Sequence, residues 1–253
     1  MHNELFSIGP ITIYGYGLMI AIGILAAYLS TEFLAKKNDL DPNPVFNILI
    51  VGVLFGILGA KLLYYITILD DIIANPKLLL DFSDGFVVYG GIIGGIYSAM
   101  AYCRIKKMPF LKYFDLVMPS VALAQGFGRI GCFLAGCCYG RETDSALGIV
   151  FHNSSYAPND VKLLPTQLIS SGLDFLLCAV LILLDRKKKG DGQIAGAYLV
   201  LYSIGRYIVE MLRNDDRGGL RVFSTSQIIS VGMVIVGCVL FVLFGKKKSE
   251  VSE

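Results

Sequence analysis

Three charged side chains stand where charge is costly. Of the 22 basic residues, Lys61, Arg129 and Arg206 lie inside long apolar runs, and the rest lie between or beyond those runs. A charge at membrane depth is usually turned inward as a functional or paired group. A guanidinium stays charged at any depth and grips phosphate oxygens through a two-pronged fork. In Gln125-Gly126-Phe127-Gly128-Arg129-Ile130-Gly131-Cys132, the spacing i, i+4, i+7 sets Gln125, Arg129 and Cys132 on one helical face. In the run from Tyr202 to Arg213, the residues Tyr202, Arg206, Glu210 and Arg213 form a second stripe. Glu210 neutralises one arginine, which leaves that stripe positive. With Arg129 and Lys61 added, the set calls for an anion. A third run opens Tyr89-Gly90-Gly91, where paired glycines admit either close backbone approach to a ligand or tight helix packing.

The six cysteines divide into two groups. Cys103, Cys178 and Cys238 sit singly in apolar context, as small core residues do. Cys132, Cys137 and Cys138 are clustered, but on a continuous helix 132 and 137 do not share a face. The cluster lacks zinc-site spacing, and the chain's two histidines, His2 and His152, are not close to it in sequence. No metal and no cofactor is expected, and no GxSxG, Walker or HExxH pattern occurs.

The runs that must carry these groups are membrane-like. Hydrophobic residues make up 55% of the 253 and charged residues only 17%, with a mean hydropathy of +0.65. A soluble domain carries about a quarter charged residues. Predicted spans are 11–35, 46–68, 86–103, 115–137, 165–184, 193–212 and 225–244, each long enough for a hydrocarbon core of about 30 Å. The expected fold is an all-α membrane protein: a seven-transmembrane-helix bundle forming one domain over 1–253. The N-terminus lacks the basic stretch of a cleaved signal peptide, so the first span is expected to be retained. A net charge of +2 is too small to point to nucleic acid. With the N-terminus outside and the C-terminus cytoplasmic, thirteen basic residues fall in inner segments and six in outer loops, which is the expected bias. Arg129 lies fourteen residues past Asp115, Arg206 thirteen past Gln193 and Lys61 fifteen past Val45. At about 1.5 Å per residue each stands roughly 20 Å from the inner face. Tyr16 and Tyr89 lie near the outer ends of inward-running spans, so five helices bring polar groups to the outer half of the membrane.

At these motifs the chain resembles bacterial prolipoprotein diacylglyceryl transferases. The pieces are Phe6-Ser7-Ile8-Gly9-Pro10, Tyr16-Gly17-Leu18-Met19, Gly90-Gly91-Ile92-Ile93-Gly94, Gly128-Arg129-Ile130-Gly131 with Gly140, Pro165-Thr166-Gln167-Leu168, and Arg206-Tyr207-Ile208-Val209-Glu210 with Arg213. The resemblance implies seven helices with the N-terminus outside, in the bacterial cytoplasmic membrane. It implies transfer of the diacylglyceryl group of phosphatidylglycerol to the lipobox cysteine thiol of a preprolipoprotein signal peptide, with membrane lipids as surroundings. The family's essential arginines fall on Arg129 and Arg206, which would hold the lipid phosphate. Tyr89 stands where the family usually has a histidine proposed as base, Cys132 where it has asparagine, and Cys137 where it has glutamate. Stripes and resemblance together make Arg129, Arg206 and Tyr89 the expected catalytic residues. Tyr16, Lys61, Gly90, Gly91, Gln125, Gly140, Tyr202, Glu210 and Arg213 are the expected substrate-binding residues. The thiol replacements leave open a transferase of the same fold that acts on another lipid or acceptor through its own cysteines. A small-anion transporter is disfavoured, because the inner halves of the spans are almost wholly apolar.

Overall fold

The computed structural model describes residues 4–8, 11–80, 85–214, 219–220 and 223–246. Arg217, Arg221, Lys247 and Lys248 of the charge count, and Gly9 and Pro10 of the resemblance, lie outside them. In chain order the elements are β1 (Glu4–Ile8), β2 (Ile11–Tyr14), α1 (Gly15–Lys37), α2 (Asn43–Thr67), α3 (Leu69–Ala74), a 3-10 turn (Pro76–Leu80), α4 (Val88–Ile105), α5 (Phe110–Ala135), β3 (Ile149–Val150), β4 (Lys162–Leu163), α6 (Thr166–Asp185), α7 (Gln193–Glu210), β5 (Gly219–Leu220), β6 (Phe223–Ser224) and α8 (Thr225–Lys246). The fold is helical, with three antiparallel two-stranded hairpins that the all-α expectation did not include. The first helix begins at Gly15 rather than at 11, because residues 11–14 pair with the N-terminal strand.

Among the described residues, five helices are long and apolar enough to cross a membrane: α1, α2, α5, α6 and α8. The helices α4 and α7 have 18 residues each. They are less apolar because α4 carries four glycines and three tyrosines, and α7 carries Gln193, Arg206 and Glu210. Large side chains such as Leu25, Leu29 and Phe33 on α1, and Val231, Ile235 and Val239 on α8, are at least half exposed. Contiguous apolar surface of that kind is unsuited to water and fits hydrocarbon. The chain is a multi-pass membrane protein.

Two compact units divide the chain, Met1–Thr31 with Leu111–Glu253, and Glu32–Phe110. In the second, α4 packs on α2 through glycines. A Cβ at Gly90 would run into the Gly59 carbonyl, and one at Gly94 into that of Phe55. Small residues let helix backbones close in a membrane, where no hydrophobic force drives helices together. In the first unit, Met118 and Ala122 of α5, Leu177, Cys178 and Leu181 of α6, and Ile194, Ala195, Ala197 and Tyr198 of α7 form one buried core. Gly126 of α5 seats the Phe175 ring, and the Ser171 hydroxyl donates to the Gly126 carbonyl at 2.9 Å. Helix α8 closes on α7 where Gly196 and Gly237 meet.

Candidate functional site

The site is set by a cap buried at the other end of its helices. The first N–H groups of a helix have no partner within it and need an acceptor. For α7 the acceptor comes from α5. The fully buried Asp115 takes hydrogen bonds from the Gly192 N–H at 2.7 Å and the Ala195 N–H at 2.9 Å. Lys188 Nζ lies between this carboxylate, at 3.7 Å, and that of Asp185, at 2.9 Å. Farther along, the Tyr198 hydroxyl donates to Gln125 Oε1 at 2.9 Å. Asp115 therefore meets the start of α7, and Gln125, ten residues on, meets Tyr198 within the first third of α7, so the two helices run in the same direction. Arg129 is fourteen residues past Asp115 and Arg206 thirteen past Gln193. Both guanidinium-bearing positions lie toward the far ends of these helices and line one space.

That space is a cavity of about 190 Å³. Its polar lining is Arg129 from α5, Ser170 and Asp174 from α6, and Tyr202 and Arg206 from α7; the remaining lining is mostly leucine and valine. Arg129 and Arg206 both line this space, while Glu210, expected beside them, is not among its lining residues. The circumstances of the two arginines differ. Arg206 is an i, i+4 partner of Glu210, with Nη1 to Oε2 at 2.9 Å, and its Nη2 donates to the Ser226 hydroxyl at 3.1 Å. Among the described residues Arg129, half-buried, makes no hydrogen bond or ion pair. A desolvated cation without a fixed partner is costly and draws an anion. The cavity walls are mostly apolar, so the field of both guanidinium groups is weakly screened there.

Asp174 was missed by sequence reasoning. Only 5% exposed, it brings a carboxylate into the cavity, and its Oδ2 has no hydrogen-bond partner among the described residues. The available signal was an acid alone among Leu173, Phe175, Leu176 and Leu177 in the fifth span. Counting only cations at depth passed over it.

The other expected residues divide. Tyr202 lines the cavity and stacks on Tyr198, with ring centres 5.5 Å apart. Gln125 stands behind the lining, tied to that Tyr198. Tyr16 lies over Gly131, where a Cβ would come 3.1 Å from its ring. Gly140 acts as a joint: its N–H donates to the Leu164 carbonyl at 3.0 Å, and it bridges to Arg213. A Cβ there would lie 2.7 Å from the Leu164 oxygen and 2.9 Å from that of Leu212. The joint ties the chain leaving α5 to the start of α6 and the end of α7, and so fixes Arg213. Lys61, Tyr89, Gly90 and Gly91 belong to the second unit. There Lys61 is buried, its ammonium 5.0 to 5.2 Å from the rings of Tyr64, Tyr65 and Phe86, a cation–π setting. Tyr89 is 43% exposed at the start of α4. Gly90 faces α2, so of the two readings of the paired glycines, the structure displays packing.

The expectation that Cys132 and Cys137 point apart is corrected. Opposed faces need a continuous helix, and α5 ends at Ala135. Gly136 then takes a φ of +77°. Its N–H donates to the Phe133 carbonyl at 3.1 Å, and the Cys137 N–H to that of Cys132 at 3.1 Å. This is the pair of bonds of a Schellman C-cap, a motif that folds the second residue past the cap back onto the helix's last turn. The sulfurs of Cys132, Cys137 and Cys138 lie within 4.8 Å of one another.

Comparison with known proteins shows what this sequence is similar to. A profile described as prolipoprotein diacylglyceryl transferase matches residues 3–243. The chain is 50% identical over 241 residues to the phosphatidylglycerol–prolipoprotein diacylglyceryl transferase of Clostridium tetani, covering 95% of this chain and 97% of that one. It is 47% identical over 243 residues to a Clostridium perfringens protein named phosphatidylglycerol–prolipoprotein diacylglyceryl transferase 2, covering 95% and 94%. A Clostridioides difficile relative with the same enzyme name is 34% identical over 257 residues, along the full length of both.

Proposed function

The chain belongs to the prolipoprotein diacylglyceryl transferase family, and from that premise we infer that it moves the diacylglyceryl group of phosphatidylglycerol onto the lipobox cysteine of a preprolipoprotein. One observation carries the assignment of the site: Arg129, without a partner among the described residues, shares a cavity with Arg206. The phosphodiester of phosphatidylglycerol is the anion this pair suits, and the apolar remainder of the cavity wall suits its acyl chains.

In the reaction, the cysteine sulfur attacks the glycerol carbon that carries the phosphate ester. A carbon–sulfur bond forms, the carbon–oxygen bond breaks, and glycerol phosphate departs with the electron pair. Negative charge grows on the departing phosphate. Donors fixed in advance at such a position lower the barrier without reorganising. Arg206, held by Glu210 and Ser226, is such a donor. Arg129 acquires its partner when the lipid enters. Arginine does not deprotonate in proteins, so neither can take the thiol proton. Two groups are suited to accept it. One is Asp174, the carboxylate in the cavity lining, and the other is Tyr89 at the position of the family's histidine, which takes the proton only as its tyrosinate.

The chain is read as one membrane domain of seven spans in the bacterial cytoplasmic membrane, N-terminus outside, with the cavity in the outer half. The thirteen-to-six distribution of basic residues supports that orientation. The reaction reading is tested by following glycerol phosphate release from phosphatidylglycerol. Release is expected with a lipobox peptide carrying cysteine and not with its serine analogue. Equal release with both peptides would identify a lipid hydrolase instead.

A further inference from the structure

We propose that Cys132, Cys137 and Cys138 form a binding site for one soft metal cation of the zinc, cadmium or copper(I) class, a function apart from the transfer reaction.

The geometry carries it. Zinc–thiolate bonds of about 2.3 Å put sulfurs about 3.8 Å apart around a tetrahedral ion. The three sulfurs here already lie within 4.8 Å of one another, so small side-chain rotations close the site. The backbone that presents them is fixed at several points. The Schellman turn sets Cys137 over Cys132, and Cys137 Sγ reaches back to the Cys132 carbonyl at 3.7 Å. Cys138 is held at a φ of +63°, in the left-handed region that L residues seldom occupy. Two side chains at the start of α6, each only 1% exposed, anchor the same stretch. Thr166 donates its hydroxyl hydrogen bond to the Cys138 carbonyl at 2.8 Å, and Gln167 Nε2 donates to the Cys137 carbonyl at 2.7 Å.

Chemistry narrows the cation. Three sulfurs and no carboxylate in the cluster select thiophilic ions over magnesium or calcium. On binding, each thiol releases its proton to solvent as its sulfur bonds the metal. Three thiolates around a divalent ion leave one net negative charge. Arg129, three residues before Cys132 on the same helix, is placed to balance it. Three protein ligands leave a fourth position to water.

The test uses the full chain in detergent, reduced and stripped of metal, with cadmium as the probe. The expected result is a thiolate-to-cadmium charge-transfer absorbance that saturates at one ion per chain and withstands excess magnesium. Bound cadmium should shield Cys132, Cys137 and Cys138 from iodoacetamide, read by mass mapping, and leave the reactivity of Cys103, Cys178 and Cys238 unchanged. Cys132→Ala, Cys137→Ala or Cys138→Ala should each weaken binding by more than about tenfold, since even an outer-shell partner is worth that much. Replacing Cys103, Cys178 and Cys238 together should not change it. No saturable absorbance in the unmutated chain overturns the proposal, as does shielding spread evenly over all six cysteines. Should a cluster variant fail to insert, the mapping on the unmutated chain decides alone.

Discussion

Removing the Arg129 guanidinium should separate activity from stability. The side chain sits half-buried on the cavity with no hydrogen bond or ion pair among the described residues, so Arg129→Ala breaks no interaction that holds the fold. It trades the cost of a desolvated cation against the field that cation exerts on Asp174 in the same cavity, and the melting temperature in detergent should change little. Activity should fall, because the donor that meets the departing phosphate is gone. Loss of one donor to the transition-state charge costs about 3–4 kcal/mol, or on the order of a hundred- to a thousandfold in rate. Arg129→Lys should recover little of it, since a point charge cannot reproduce the fork. Arg206→Ala gives the contrast. It removes the 2.9 Å partner of Glu210, whose side chain is 5% exposed, and should lower the melting temperature as well as the rate. The assay is initial-rate transfer to a lipobox peptide in mixed micelles, paired with thermal unfolding of the same preparations. Near-full activity in Arg129→Ala refutes the reasoning. So does a loss that merely tracks a lowered melting temperature, since Arg129 would then be a structural group.

Other perturbations follow from the same geometry. Gly140→Ala places a Cβ 2.7 Å from the Leu164 oxygen, and overpacking of that kind should cost about 1–3 kcal/mol in unfolding experiments. Asp115→Ala removes the acceptor for the Gly192 and Ala195 N–H groups. It should lose about 1–2 kcal/mol, as helix N-caps do, with a smaller fall in activity as the start of α7 loses its anchor on α5. Asp174→Asn keeps the shape of the cavity and removes a proton acceptor; a fall of about a hundredfold or more in kcat, with little change in KM, marks it as the base. Tyr89→Phe is the matched control, and whichever variant shows the kcat loss identifies the acceptor. Cys132→Ser and Cys137→Ser should keep most of their activity, because the reacting thiol comes from the peptide; an inactive but folded serine variant would show that the enzyme uses its own sulfur.

Much of this was legible from residue types and spacing. A guanidinium costs too much in hydrocarbon to occur idly, so two of them at equal depth on two apolar runs announced a shared space. The structure supplies that space as the cavity. Helix positions were legible because apolar runs of this length have few alternatives, and the observed helices keep within a few residues of the predicted spans. What escaped depends on where a period breaks. Helical-face reasoning put Cys132 and Cys137 apart, yet one glycine with φ of +77° ends the helix and folds the chain back. Gly90 illustrates another limit: paired glycines look the same whether they admit a ligand or a neighbouring helix, and only the packing on Gly59 distinguishes them. Asp115 reads as an ordinary charge at a span's inner edge. Its role as the cap of α7 depends on a contact across 77 residues of sequence.

The decisive measurement follows the lipid carbon itself. Phosphatidylglycerol labelled isotopically in its diacylglycerol backbone is supplied to the purified chain with a lipobox peptide, and the peptide product is read by intact mass and fragmentation. The expected product carries the labelled diacylglyceryl group as a thioether on its single cysteine, with one glycerol phosphate released per peptide modified, and Arg129→Ala slows its formation by about a hundredfold or more. A peptide that stays unmodified beside active controls, or label bound to Cys132, Cys137 or Cys138 of the chain instead, would overturn the assignment of both the reaction and its site.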